Sequence, residues 1–142
     1  MNRITFAVCF AILTVVAVPS FAQGKKYALL VGVESYDPTQ LKSLDYAADD
    51  AKALGAELSQ LGFDTVVMTA DARIPSRKPI FPGDILKQVQ RRLGGRDKND
   101  TVLISFSGHG IQLKNDPVDQ FGAKETYFCP ERANLSDRDT LL

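Results

Sequence analysis

The chain has 142 residues, of which 44% are hydrophobic and 24% charged, with 17 basic residues against 17 acidic ones and a single histidine. That length and apolar fraction suit one globular domain with a real core. A net charge of zero, with no basic cluster interleaved with aromatics, excludes a nucleic-acid-binding footprint.

The amino terminus has the pattern of an export signal. Arg3 supplies a positive start, and residues 4–18 form an uncharged apolar run too short to span a bilayer comfortably. Pro19-Ser20-Phe21-Ala22 then offers small residues for cleavage after Ala22. Residues 1–22 are expected to be removed, leaving a secreted or periplasmic chain with no stable membrane insertion; a retained anchor is the alternative. No cysteine follows the apolar run at a position suited to lipid attachment. Cleavage takes Cys9 away and leaves Cys129 alone, so the mature chain holds no internal disulfide.

Residues 27–33 form a near-continuous apolar run of strand length, as in a strand buried on both faces of a parallel sheet. Residues 34–43 are polar, contain Pro38, and read as a loop. Residues 45–61 are predicted as a helix, with Ala47, Ala51, Leu54, Leu58 and Leu61 on one face and Gly62 as its left-handed cap. A β-branched strand follows over 63–69, then a proline-rich loop over 70–82. The spacing of Ile85, Val89 and Leu93 predicts a helix over 84–93, stopped by Gly94-Gly95. Residues 101–107 give a third strand and 125–129 a fourth, closed by Pro130. Ser136 is placed to cap a helix beginning at Asp137. Strands alternating with helices specify an α/β domain, a mostly parallel sheet covered by helices, over residues 25–142. Functional loops in such sheets lie beyond the carboxyl ends of the strands.

The tetrad Ser107-Gly108-His109-Gly110 occupies that position after the third strand and contains the lone histidine. Flanking glycines let the backbone turn sharply and expose the imidazole, the side chain best suited to proton transfer near neutral pH. The Gly110 amide, with no Cβ in the way, is a candidate oxyanion donor. Cys129 lies in an apolar strand before Pro130, a setting that raises a thiol pKa and marks a structural cysteine. Asp49 and Asp50 point about 100° apart on a helix start, so they are no paired-carboxylate site, although one of them can point into the cleft. Gly32 is followed by no glycine-rich phosphate loop, which disfavours a nucleotide cofactor, and one histidine with one buried cysteine cannot make a structural zinc site.

Three segments together resemble the caspase-like cysteine peptidases, the group of caspases, metacaspases and their bacterial relatives. They are the opening strand and loop at 26–36, the helix start at 41–51, and the third strand with Ser107-Gly108-His109-Gly110. The resemblance implies a caspase-like three-layer fold, incomplete at its carboxyl end, and a Cys-His dyad in which His109 is the catalytic histidine and Gly110 the oxyanion donor. It also implies that Asp50 lines the pocket for a basic substrate residue. Aspartate-cleaving caspases carry an arginine where this chain has Leu44, so the resemblance favours Arg or Lys over Asp. In caspases the cysteine follows the histidine by about 50 residues, which puts the nucleophile near position 160, roughly 20 residues past Leu142. Tyr127-Phe128-Cys129-Pro130 matches instead a structural strand of the family.

The resulting expectation is a cysteine endopeptidase acting on protein or peptide substrates without a cofactor, represented by a segment with no activity by itself. The alternatives are a catalytically inactive interaction module, a thiol hydrolase using Cys129, and a hydrolase pairing Ser107 with His109.

Overall fold

The structure is a computed structural model that describes residues 24–71, 73–74, 78–114 and 124–142. The expected signal at 1–22 lies outside the described residues. Strand β1 (Lys26–Val33) is central, with β2 (Asp64–Ala70) and β3 (Thr101–Ser107) parallel to it on either side. Its apolar run serves two cores at once, because successive side chains point to opposite faces. Ala28 and Leu30 pack with Ala51 and Leu58 of helix α1 (Ala47–Gln60) on one face. Leu29, Val31 and Val33 pack with Ile85 of helix α2 (Pro82–Leu93) and with Cys129 on the other. Each fully buried Leu or Val contributes about 1.5–3 kcal/mol. The result is three layers, helix on sheet on helix, as the alternation of elements predicts.

Register places the functional edge. Gly32 of β1 lies opposite Thr69 of β2 and Ser107 of β3, so the segments after all three strands leave the sheet at one end. Gly32 also sets how closely α1 approaches: a Cβ there would lie 2.3 Å from the Ala47 carbonyl oxygen. The helix packs through small residues. Ala47, Ala48, Ala51, Gly55 and Leu58 are buried, whereas Leu54 and Leu61 of the predicted stripe are exposed. A Cβ on Gly55 would come within 2.6 Å of Val67, so the face next to the sheet has no room for the larger side chains. Gly62 takes the left-handed conformation expected after this helix, with φ of 81°.

Helix α2 begins two residues earlier than the spacing predicts, with Pro82 at its first turn, where a missing N–H costs nothing. Ile85 is fully buried and Val89 packs against the same core, but Leu93 at the end of the predicted stripe is exposed. The predicted fourth strand is not in the main sheet. It is β5 (Lys124–Phe128), antiparallel to β4 (Gly110–Lys114), a strand the patterning does not indicate. The segment after Ser136 is a single 3-10 turn over Arg138–Thr140 in place of a helix, and Asp137, not Ser136, accepts the capping hydrogen bond from Asp139 N–H. Among the described residues no helix is long and apolar enough to cross a membrane.

Candidate active site

His109 sits between β3 and β4, half-buried, where the chain leaves the main sheet for the hairpin. Two contacts from the segment after β1 fix it. Its backbone N–H donates to the Tyr36 hydroxyl at 3.0 Å, and its Nε2 lies 2.7 Å from the Lys42 carbonyl oxygen. The Tyr36 and His109 rings stack tilted, with centroids 4.9 Å apart. A carbonyl oxygen only accepts, so Nε2 carries the hydrogen and Nδ1 is the basic nitrogen of the neutral ring. Nδ1 has no partner among the described residues. Ser107 makes no hydrogen bond to the imidazole, which leaves the serine-histidine pairing without support.

The segment that presents these contacts is itself anchored. Glu34, 2% exposed, accepts the Ala48 N–H at 2.9 Å through its carboxylate and the Leu44 N–H at 3.0 Å through its carbonyl. That carboxylate supplies the cap that Tyr46 does not provide, at the positive end of the α1 dipole. Residues 37–41 then turn back on Asp37, whose carboxylate accepts the Thr39 N–H. Gly108 completes the fit: a Cβ on it would lie 2.7 Å from the Tyr36 hydroxyl and 2.9 Å from the Phe128 ring.

Gly110 faces Phe128 across the hairpin. The Cys129 N–H donates to the His109 carbonyl at 2.9 Å, which makes Gly110 and Phe128 a non-hydrogen-bonded pair. The Phe128 N–H and C=O turn the other way, to Leu142, at 2.8 and 3.0 Å. The Gly110 N–H therefore points away from β5. It is exposed beside His109 and can reach a developing negative charge.

The two acids at the start of α1 part company. Asp49 is engaged by Arg73 and Lys52, both of which also grip Asp71, a side chain only 2% exposed at the end of β2. The Arg73 guanidinium and Lys52 ammonium hold the Asp71 carboxyl far below the usual carboxylate range, and Arg73 lowers that of Asp49 as well. Asp50 is exposed, and its carboxylate has no partner among the described residues. It lies on the same edge as His109 without touching it.

Cys129 is fully buried, and desolvation pushes its thiol upward. Its main chain touches His109, but its side chain belongs to the core with Leu29 and Ile85. It is a structural cysteine, as its apolar setting predicts. Among the described residues no three His, Cys, Asp or Glu side chains converge as a metal site requires.

Sequence patterning does not single out Glu34, Tyr36 or the Lys42 carbonyl. A buried polar pair, Glu34 and Tyr36, directly after an apolar strand is the available signal.

Comparison with known proteins decides the family, because the profile of the Caspase domain, peptidase family C14, matches residues 25–140. The chain belongs to the caspase domain family. It is 32% identical to Metacaspase-3 of Arabidopsis thaliana over 111 residues, covering 75% of this chain and 30% of that protein. It is 31% identical to Metacaspase-1A of Neurospora crassa over 105 residues, covering 71% of this chain and 22% of that protein. The chain thus spans less than a third of the length of these relatives. The crystal structure of protein GSU0716 from Geobacter sulfurreducens has the same fold, with a TM-score of 0.64 at 20% identity, over 83% of this chain and 41% of that one. The caspase domain accounts for the central parallel sheet and the flanking helices.

Proposed function

We infer that this caspase domain contributes the histidine half of a cysteine endopeptidase active site of the metacaspase type. The observation that carries the reading is the imidazole of His109, held by Nε2 on the Lys42 carbonyl with Nδ1 unpartnered among the described residues. In the reaction, Nδ1 takes the proton of a cysteine thiol, the thiolate attacks the substrate carbonyl, and the imidazolium returns the proton to the leaving amine. The Gly110 N–H supports the oxyanion, an interaction worth about 3–4 kcal/mol of barrier. Burial of Cys129 supports a nucleophile elsewhere, about 50 residues after His109 as in caspases.

Asp50 is the acidic contact for an Arg or Lys side chain of the substrate. Its exposure and free carboxylate support this role, as does Leu44 in the place of the arginine of aspartate-cleaving caspases. The apolar run at 4–18 supports export before the enzyme acts. The same buried thiol underlies the alternative reading, an inactive interaction module.

The test is hydrolysis of fluorogenic Arg, Lys and Asp peptides by a polypeptide in which this domain is paired with a cysteine nucleophile. His109→Ala should abolish turnover. Asp50→Asn should raise KM for the basic substrates by roughly ten- to a hundredfold, the loss of a charge-assisted contact. The 142-residue chain alone should be inactive. Preference for Asp substrates, or robust turnover by the short chain, would refute this assignment.

A further inference from the structure

We propose that Tyr36 is the positioning residue of His109: its hydroxyl holds the histidine main chain and its ring shelves the imidazole, so that Nε2 stays on the Lys42 carbonyl. Four observations converge on this contact. The phenol oxygen accepts the His109 N–H at 3.0 Å. The ring lies 4.9 Å from the imidazole, centroid to centroid. Gly108 leaves the hydroxyl the room it needs, since a Cβ would come within 2.7 Å of it. Tyr36 and Lys42 belong to one segment that Glu34 ties down through Leu44 and Ala48, so the shelf and the carbonyl keep a fixed separation.

The imidazole is thus oriented by two groups of the β1–α1 segment, the Tyr36 ring and the Lys42 carbonyl, and its main chain by a third, the Tyr36 hydroxyl. A phenol suits the task chemically. Burial pushes the Tyr36 hydroxyl up to about 12, so it stays neutral, and its contact does not change, over the range in which a histidine titrates. Tyr36 touches neither substrate nor nucleophile in this role. It acts through His109 by holding the ring where the Lys42 carbonyl selects the tautomer with hydrogen on Nε2.

The proposal takes its meaning from the peptidase reading, but its test needs no substrate. His109 is the only histidine, so nitrogen-15 spectra of the folded 142-residue chain contain a single imidazole. In the wild-type chain at pH 8 the Nε2–H tautomer should dominate. Tyr36→Phe keeps the ring and removes the acceptor of the His109 main-chain N–H; as the imidazole then loses its register with the Lys42 carbonyl, the ratio of Nε2–H to Nδ1–H should fall roughly fivefold, the weight of that one neutral hydrogen bond. Gly108→Ala reaches the same contact from the other side and should lower the ratio while Tyr36 is intact. Amide signals of α2 should not move in either variant.

An unchanged ratio in either variant overturns the proposal. So does loss of cooperative unfolding in Tyr36→Phe, which would make the hydroxyl a determinant of the fold instead. In a polypeptide that pairs this domain with a cysteine nucleophile, Tyr36→Phe should lower kcat with KM unchanged. Absence of any peptidase activity there would count against the enzymatic reading while the tautomer result stood.

Discussion

Cys129 and His109 are joined through their main chains, yet their side chains face opposite environments. The thiol is sealed among Leu29, Val31 and Ile85, and the imidazole stands at the edge of the sheet. Desolvation disfavours the thiolate, so folding suppresses the chemistry of Cys129. In the native chain iodoacetamide should label Cys129 at least roughly tenfold more slowly than in urea, read on the Cys129 peptide by mass spectrometry. Cys129→Ser places a hydroxyl in an apolar site and should destabilise the domain by about 1–3 kcal/mol in a denaturant titration. Fast labelling of the folded chain would reinstate Cys129 as a nucleophile. At this scale much was legible: two glycines around one histidine after an apolar run announce an imidazole at the sheet edge, which is half-buried against Tyr36, and an apolar setting announces a buried thiol. The Lys42 carbonyl was not legible, because a main-chain acceptor has no residue type to mark it.

Helix α1 shows what patterning captures of an element and what it misses. A period near 3.6 located the helix and, through Ala47, Ala51 and Leu58, most of the face it buries. Leu54 and Leu61 look like core residues by spacing and are exposed, whereas Gly55 is buried because the helix lies so close to the sheet. Close approach is a property of two elements together and leaves no mark on either alone. Gly32 is where it is tightest, against the main-chain oxygen of Ala47, which cannot rotate aside. Gly32→Ala should therefore cost about 1–3 kcal/mol in a denaturant titration by pushing α1 off β1. A neutral effect would mean that the helix does not sit as described. The hairpin escaped for a different reason. Strand β4 begins within the tetrad around His109, at Gly110, and its short alternation (Gly110, Ile111, Gln112, Leu113, Lys114) is outweighed by the glycines before it.

Across the whole molecule, one ionic cluster ties the end of β2 to the start of α1. Asp71 is lowered far below its ordinary 3.8 by Arg73 and Lys52, which also engage Asp49. A carboxyl lowered by folding contributes stability that is complete above its unfolded pKa and lost as pH falls toward its folded one. The wild-type chain should therefore melt higher than Asp71→Asn at pH 7, and the gap should narrow as pH drops below about 4 toward 2. A gap that stays constant with pH would show that Asp71 stabilises by packing alone. The layered architecture was legible from the alternation of strands and helices, but this cluster was not: its members lie up to 24 positions apart, and only the shared edge of the sheet brings them together.

The clasp between the imidazole and the Lys42 carbonyl joins positions 67 residues apart in the chain. Contacts of such range close only after the strands beneath them have found one another, since the entropy of the intervening loop must first be overcome. A nascent or partly unravelled polypeptide therefore carries a histidine but no oriented base. The oriented imidazole arrives only with completed topology.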